Sequence, residues 1–88
     1  MERRYSMILV DIYVPAVDQT FDFMLDENAD LSAVLLEVTE MTAKKTGSER
    51  PSDPGAFALY DTEREQPLSE EKTLFESGIR DGDRLILV

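Results

Sequence analysis

Apolar and polar residues alternate with a period of two near the start of the chain. Over residues 8–14 the even-numbered side chains are all β-branched and apolar, which is typical of one face of a β-strand. A similar alternation returns at Phe21, Phe23 and Leu25, after a short connection over residues 15–19. Two alternating segments joined by a brief turn predict a β-hairpin.

A helical period follows this hairpin. Four apolar residues recur at the spacing i, i+3, i+4, i+7: Leu31, Val34, Leu35 and Val38. Asp30 is a favoured N-cap residue, and its carboxylate is expected to accept a backbone N–H of the first turn. Lys44 and Lys45 suit the last turn of a helix, and Gly47 can end it in the left-handed conformation. The sequence therefore predicts an amphipathic helix between Asp30 and Gly47.

The second half of the chain carries shorter signals. We expect an exposed loop over residues 48–56, a strand at 57–60, a very short edge strand at 67–68, an irregular or 3₁₀ segment over 69–78, and a last strand at 84–88. The resulting order is β-β-α-β-β-β. It predicts an α+β fold in which one helix packs across one face of a mixed sheet, with the first and last strands central and parallel.

The expected core follows from these faces. It comprises Ile8, Val10, Ile12, Phe21, Phe23, Leu25, Leu31, Val34, Leu35, Val38, Leu59, Leu68, Leu74, Ile79, Leu85 and Leu87. The chain has 88 residues, of which 42% are hydrophobic, so it is long enough for one domain with a modest core. We predict a single domain over residues 7–88 and a flexible N-terminus over residues 1–6.

Composition excludes most enzymatic chemistry. The chain contains neither histidine nor cysteine, so it lacks a thiolate nucleophile, sulfur ligands for zinc and the usual general base near neutral pH. No phosphate-binding glycine motif occurs, and the acidic pairs Glu70/Glu71 and Asp81/Asp83 lack the spacing of a calcium loop. We therefore predict a protein that is not an enzyme and needs no cofactor or metal.

Net charge points to a protein partner. Nineteen acidic and nine basic residues give a formal net charge of −10, which disfavours binding to nucleic acid or to an anionic membrane. No signal peptide or membrane-spanning segment is visible. A small domain without disulfides suits a reducing cytoplasm, and the acidic surface suits either a basic partner or solubility alone.

The order and spacing of these residues resemble ubiquitin. Asp30-Leu31-x-x-Val34-x-x-x-Val38 resembles its helix cap and buried helix face, and Leu74-x-x-x-x-Ile79-x-x-x-x-x-Leu85-x-Leu87 resembles its last third. The likeness covers residues 7–88 and implies the ubiquitin-like β-grasp fold.

A closer resemblance concerns the turn before the last strand. The run Gly78-Ile79-x-x-Gly82-Asp83-Arg84-Leu85 is similar to the terminal motif of the bacterial ubiquitin-like proteins of the YukD/EsaB type. This resemblance implies a soluble, cytoplasmic accessory of type VII (WXG100) secretion. The simplest interpretation of Gly82 and Asp83 is structural, because glycine permits the turn and aspartate brackets it.

Two other roles of this fold are disfavoured. Ubiquitin-like modifiers and sulfur carriers need an extended C-terminal Gly-Gly, whereas this sequence ends in Leu87-Val88. A generic interaction adaptor remains a further alternative.

The sheet face opposite the helix is the candidate binding site. Strand parity places Leu9, Tyr13, Ile86 and Val88 on it, with Met7 and Met24 nearby. Parallel pairing of the first and last strands is expected to bring Leu9 close to Ile86. A grouped apolar patch on a small soluble protein is typical of a partner site. We predict that these four residues dock a protein with a basic rim; scattered surface apolar residues, or a homodimer through the same face, are the alternatives.

Overall fold

A computed structural model of the chain describes residues 7–47 and 57–88. The predicted flexible N-terminus over residues 1–6 and the predicted loop over residues 48–56 lie outside the described residues. The secondary structure consists of β1 (Met7–Val14), β2 (Gln19–Asp26), α1 (Leu31–Thr46), β3 (Leu59–Asp61), β4 (Gln66–Pro67) and β5 (Arg84–Leu87). This order is the predicted one, although β3 begins two residues after the expected strand and β4 begins one residue before the expected edge strand.

The strands form one mixed sheet in the order β2-β1-β5-β3-β4. β1 and β2 form the predicted antiparallel hairpin, and β5 lies parallel to β1 at the centre of the sheet. β3 pairs antiparallel with β5 and with β4. The α+β class and the central first and last strands are therefore confirmed.

The core lies between α1 and one face of the sheet. Fourteen of the residues expected there are buried; Phe21 and Leu68 are only partly buried and pack against its edge. Both lie at the margins of the sheet, on its outer strand β2 and just after β4, where fewer neighbours cover a side chain. Val14 and Ala43 are buried in addition.

The two ends of α1 differ in how well the sequence predicted them. Gly47 takes the left-handed conformation with φ of 72° and closes the helix as expected. Asp30 stands at the N-cap, but its side chain makes no capping hydrogen bond, so that expectation was wrong. The backbone N–H of Leu31 instead donates to the carbonyl of Lys72 (2.9 Å), beside a β-bridge between Asp30 and Thr73. A neighbouring segment therefore caps the helix from outside.

The turn formed by Asp81–Asp83, just before β5, is hydrogen-bonded to β1. The backbone N–H of Leu9 donates to the carboxylate of Asp81 (2.7 Å), and the N–H of Gly82 donates to the carbonyl of Leu9 (2.7 Å). The N–H of Asp11 donates to the carbonyl of Asp83 (3.0 Å). Asp83 also closes the turn, because its carboxylate accepts the N–H of Arg80 at 2.8 Å. These contacts support the structural interpretation of the glycine-aspartate motif.

Gly82→Ala is expected to lower the free energy of unfolding by about 1–2 kcal/mol, because φ at Gly82 is +91° and a side chain there is strained. No atom lies within 4 Å of the position a Cβ would occupy, so a collision does not contribute. Urea denaturation followed by circular dichroism measures the loss. Arg80→Ala, an exposed position in the same turn, is the control. A loss no larger than that of the control would contradict the requirement for glycine.

Among the described residues, no helix is both long and apolar enough to cross a membrane.

A candidate protein-binding surface

The sheet leaves one face uncovered by α1, here called the open face. Side chains at odd positions of β1 and even positions of β2 and β5 lie on it, since they alternate along each strand with the side chains that face the core. Tyr60 of β3 also lies there, between the buried Leu59 and Asp61. The strand registers align these side chains into rows that run across the sheet.

One row is aromatic and apolar apart from a threonine at one end, and is here called the tyrosine row. Its members, in order across the sheet, are Thr20, Tyr13, Ile86, Tyr60 and Pro67. Tyr13, Ile86 and Tyr60 are half-buried, while Pro67 is exposed. Val88 lies two residues beyond Ile86, with 58% of its surface exposed and its backbone paired to Ala58. Three of the four predicted site residues thus lie in or beside this row.

Leu9 lies apart from this row. The register of β1 and β5 places Tyr13 beside Ile86. The backbone carbonyl of Leu9 instead accepts the N–H of Gly82, in the turn that precedes β5. The expected proximity of Leu9 and Ile86 was therefore wrong, because β5 is paired four residues further along β1 than that expectation required. Leu9 pairs instead with Met24, and both side chains are exposed, as is Met7 nearby. These three residues form a second apolar group, here called the methionine group.

The sequence prediction missed three members of the tyrosine row, namely Thr20, Tyr60 and Pro67. Leu59 was expected in the core, so alternation along a strand would have placed Tyr60 on the opposite face. The position of Pro67 depends on its pairing with Tyr60 across β3 and β4. That pairing joins residues on either side of a turn, which no period in the sequence specifies.

The ring of Tyr13 is held in place by the β1–β2 turn. Its hydroxyl donates a hydrogen bond to the carboxylate of Asp18 at 2.7 Å. The pKa of Tyr13 is raised above its ordinary value. The largest cause is this hydrogen bond, and loss of hydration and the negative charge of Asp18 contribute less. The tyrosine stays neutral and its hydroxyl is occupied, so the ring offers a partner mainly its apolar surface.

A charged row separates the tyrosine row from the methionine group. Asp22 of β2 pairs directly with Asp11 of β1, and Asp11 pairs with Arg84 of β5. The Nε of Arg84 lies 3.9 Å from Oδ2 of Asp11, a loose contact in which the arginine side chain is 79% exposed. The pKa of Asp22 is raised, first by a hydrogen bond with Asp11 and then by the negative charge of Asp11 and by loss of hydration. The positive charge of Lys45 acts in the opposite direction and lowers the pKa.

The geometry suits binding more than it suits catalysis. A shallow, open depression on this face is lined by residues of the tyrosine and charged rows together with Thr62 and Leu85. Within residues 7–47 and 57–88, no group of three acidic, histidine or cysteine side chains is arranged to hold a metal ion. The features that the open face offers a ligand are exposed apolar surface and carboxylates.

The sheet order, the helix that crosses one face of the sheet and the uncovered opposite face define a ubiquitin-like β-grasp protein. The fold is similar to the ubiquitin of Caldiarchaeum subterraneum, with a TM-score of 0.69 and 26% identity over 93% of this chain and 91% of that one. It is equally similar to the EccD5 ubiquitin-like domain from Mycobacterium xenopi, with a TM-score of 0.69 and 26% identity over 94% and 93% of the two chains.

A third similar structure belongs to an assembly. It is a chain of the MycP5-free ESX-5 inner membrane complex, with a TM-score of 0.67 and 25% identity, matched over 93% of this chain but only 20% of that one. Among curated proteins, none matches this chain. The family model for protein YukD of the WXG100 protein secretion system (Wss) matches residues 8–87. The chain belongs to the YukD family, as the motif before its last strand predicted.

Proposed function

We propose that this protein is a non-catalytic binding module that serves a type VII (WXG100) secretion system from the cytoplasm. The tyrosine row is its main contact with a protein component of the secretion apparatus. The observation that carries the proposal is the alignment of Tyr13, Ile86 and Tyr60 in one half-buried, uncovered row. Aligned apolar groups of this kind lose little further freedom when a partner covers them.

Membership of the YukD family supports the link to secretion. The similarity to a chain of the ESX-5 inner membrane complex supports an apparatus component as the partner, because a related domain occurs there as one part of a larger protein. The absence of histidine and cysteine from the sequence supports a role without catalysis.

Ile86→Glu is expected to abolish the interaction, because a carboxylate at the centre of the tyrosine row must be desolvated without a partner when the surface is covered. Leu36→Glu is the matched control. Leu36 has 45% of its surface exposed and belongs to α1, on the opposite side of the sheet. We expect the control to bind like the unaltered protein.

Tagged copies of the three proteins, expressed in the native host, are recovered from lysate and their companions identified before and after denaturation. Thermal unfolding verifies that both variants remain folded. Recovery of secretion components with the unaltered protein and Leu36→Glu only, and their release by denaturant, supports the proposal. Equal recovery with Ile86→Glu excludes the tyrosine row, and companions that persist through denaturation indicate a covalent modifier.

A further inference from the structure

The carboxylates of Asp11 and Asp22 face one another at directly paired positions of β1 and β2. Like charges in this arrangement destabilise a sheet, and the chain already carries a net charge of −10. Two basic side chains relieve the pair only weakly. The contact of Arg84 with Asp11 is 3.9 Å long and its side chain is largely in water, while the effect of the Lys45 charge on Asp22 is outweighed by that of Asp11. The open face therefore retains negative charge that a cationic group could neutralise.

The acid pair lies between two apolar surfaces. Asp11 is two residues from Tyr13 on one side and two residues from Leu9 on the other. Two residues of a β-strand span about 7 Å, so the tyrosine row and the methionine group lie at about that distance on either side of the carboxylates. A ligand that covers the whole face thus meets apolar, acidic and apolar surface in succession over about 14 Å.

We propose that the open face selects a protein segment in which an arginine or lysine is flanked on both sides by apolar side chains. This inference rests on the proposed function and specifies its partner. The basic group lies over Asp11 and Asp22, one apolar side chain contacts the tyrosine row, and the other contacts Leu9 and Met24. Arginine suits the acid pair well, because its planar guanidinium can donate to both carboxylates at once.

A second copy of this chain fits the face poorly. A symmetric dimer through the open face would bring two acid pairs into the same interface, and each partner would carry a charge of −10. A basic segment gains from the same charges, both in its rate of encounter and in its choice of register.

A library of random 12-residue peptides displayed on phage tests the inference. The library is depleted on the Ile86→Glu variant and then selected on the unaltered protein. Enriched peptides are expected to carry arginine or lysine between apolar residues. The best of them is synthesised, and its Kd is measured by calorimetry against two double variants of equal charge change.

The first double variant, Asp11→Asn with Asp22→Asn, removes the acid pair and is expected to weaken peptide binding at least tenfold. The second, Glu70→Gln with Glu71→Gln, removes two exposed acids outside the open face and is expected to change binding less than twofold. If both double variants weakened peptide binding equally, the effect would be one of overall charge. The proposal that the basic group lies over Asp11 and Asp22 would then be wrong.

The remaining outcomes separate this inference from the proposed function. If Tyr60→Ala weakens peptide binding but the Asp11/Asp22 double variant does not, the open face binds proteins as proposed. The inference that its partner is basic would then be wrong. If neither variant has an effect, the face itself is wrong. Enriched peptides that lack a basic residue, or a selection that enriches nothing, overturn the inference.

Discussion

Phe23→Ala is expected to lower the free energy of unfolding by about 4 kcal/mol, a loss near the upper end for a single core substitution. Phe23 is 1% exposed and is among the largest fully buried side chains of the described core. Its removal leaves a cavity between β2 and α1, and also breaks an edge-to-face contact with Phe21 whose ring centres are 6.4 Å apart. The free energy of unfolding of a domain of this size is on the order of 10 kcal/mol, so the substitution would remove nearly half of it.

Urea denaturation followed by far-ultraviolet circular dichroism measures this loss. Phe21→Ala is the matched control, since Phe21 lies on the same strand but is only partly buried and has Lys45 5.9 Å from its ring centre. Its expected loss is about half as large. Equal losses at the two positions would show that the depth of burial assigned to Phe23 is wrong.

Asp61→Ala is expected to cost about 3 kcal/mol, although the residue lies at the start of an otherwise exposed turn. Asp61 is 2% exposed and its carboxylate accepts three hydrogen bonds. These come from the backbone N–H of Glu63 (2.9 Å), the backbone N–H of Arg64 (3.4 Å) and the guanidinium of Arg64 (2.8 Å). Alanine leaves these donors without an acceptor and loosens the turn between β3 and β4.

The stability that Asp61 confers should also depend on pH. Burial acts to raise the pKa of Asp61, but the hydrogen bonds from Arg64 and Glu63 and the charge of Arg64 outweigh it, so the pKa is lowered from its ordinary value of 3.8. A lowered pKa in the folded state means that the contribution is complete above pH 4 or so and is lost as the pH falls below the ordinary value.

Asp61→Asn tests this pH dependence. It keeps an oxygen for the backbone N–H groups but cannot titrate, so its deficit in stability relative to the unaltered protein should shrink as the pH is lowered from 6 towards 3. Glu63→Gln, an exposed acid of the same turn, is the control and is expected to change stability by less than about 0.5 kcal/mol. A deficit for Asp61→Asn that stays constant with pH would refute the role of the ionised carboxylate.

Local periods in the sequence predicted the hairpin, the helix and most of the core. Alternation over residues 8–14 and the spacing from Leu31 to Val38 each follow from a single element, so neighbours in the sequence are sufficient to specify them. The left-handed end of α1 at Gly47 was predictable for the same reason.

Features that depend on contacts between distant segments were not predictable in this way. The register of β5 against β1 is fixed by the contacts of Asp81 and Gly82 with Leu9. Alternation along the strand therefore predicted the correct sheet face for Ile86, but not that its neighbour on β1 is Tyr13. The cap of α1 comes from Lys72, far along the chain. Likewise, the burial of Asp61 depends on the pairing of β3 with β5, in which Asp61 lies opposite Leu85.

The pairing of β1 with β5 also constrains when the protein can fold. The hydrogen bond from Leu9 to Asp81 joins residues 72 positions apart, and the central strand pair depends on such distant contacts. During synthesis, the hairpin and α1 leave the ribosome with one side of β1 still unpaired. The sheet can close only after β5 has emerged, so folding follows translation of almost the entire domain. Its dependence on pairing between distant segments is expected to make it slower than the folding of a helical bundle of the same size.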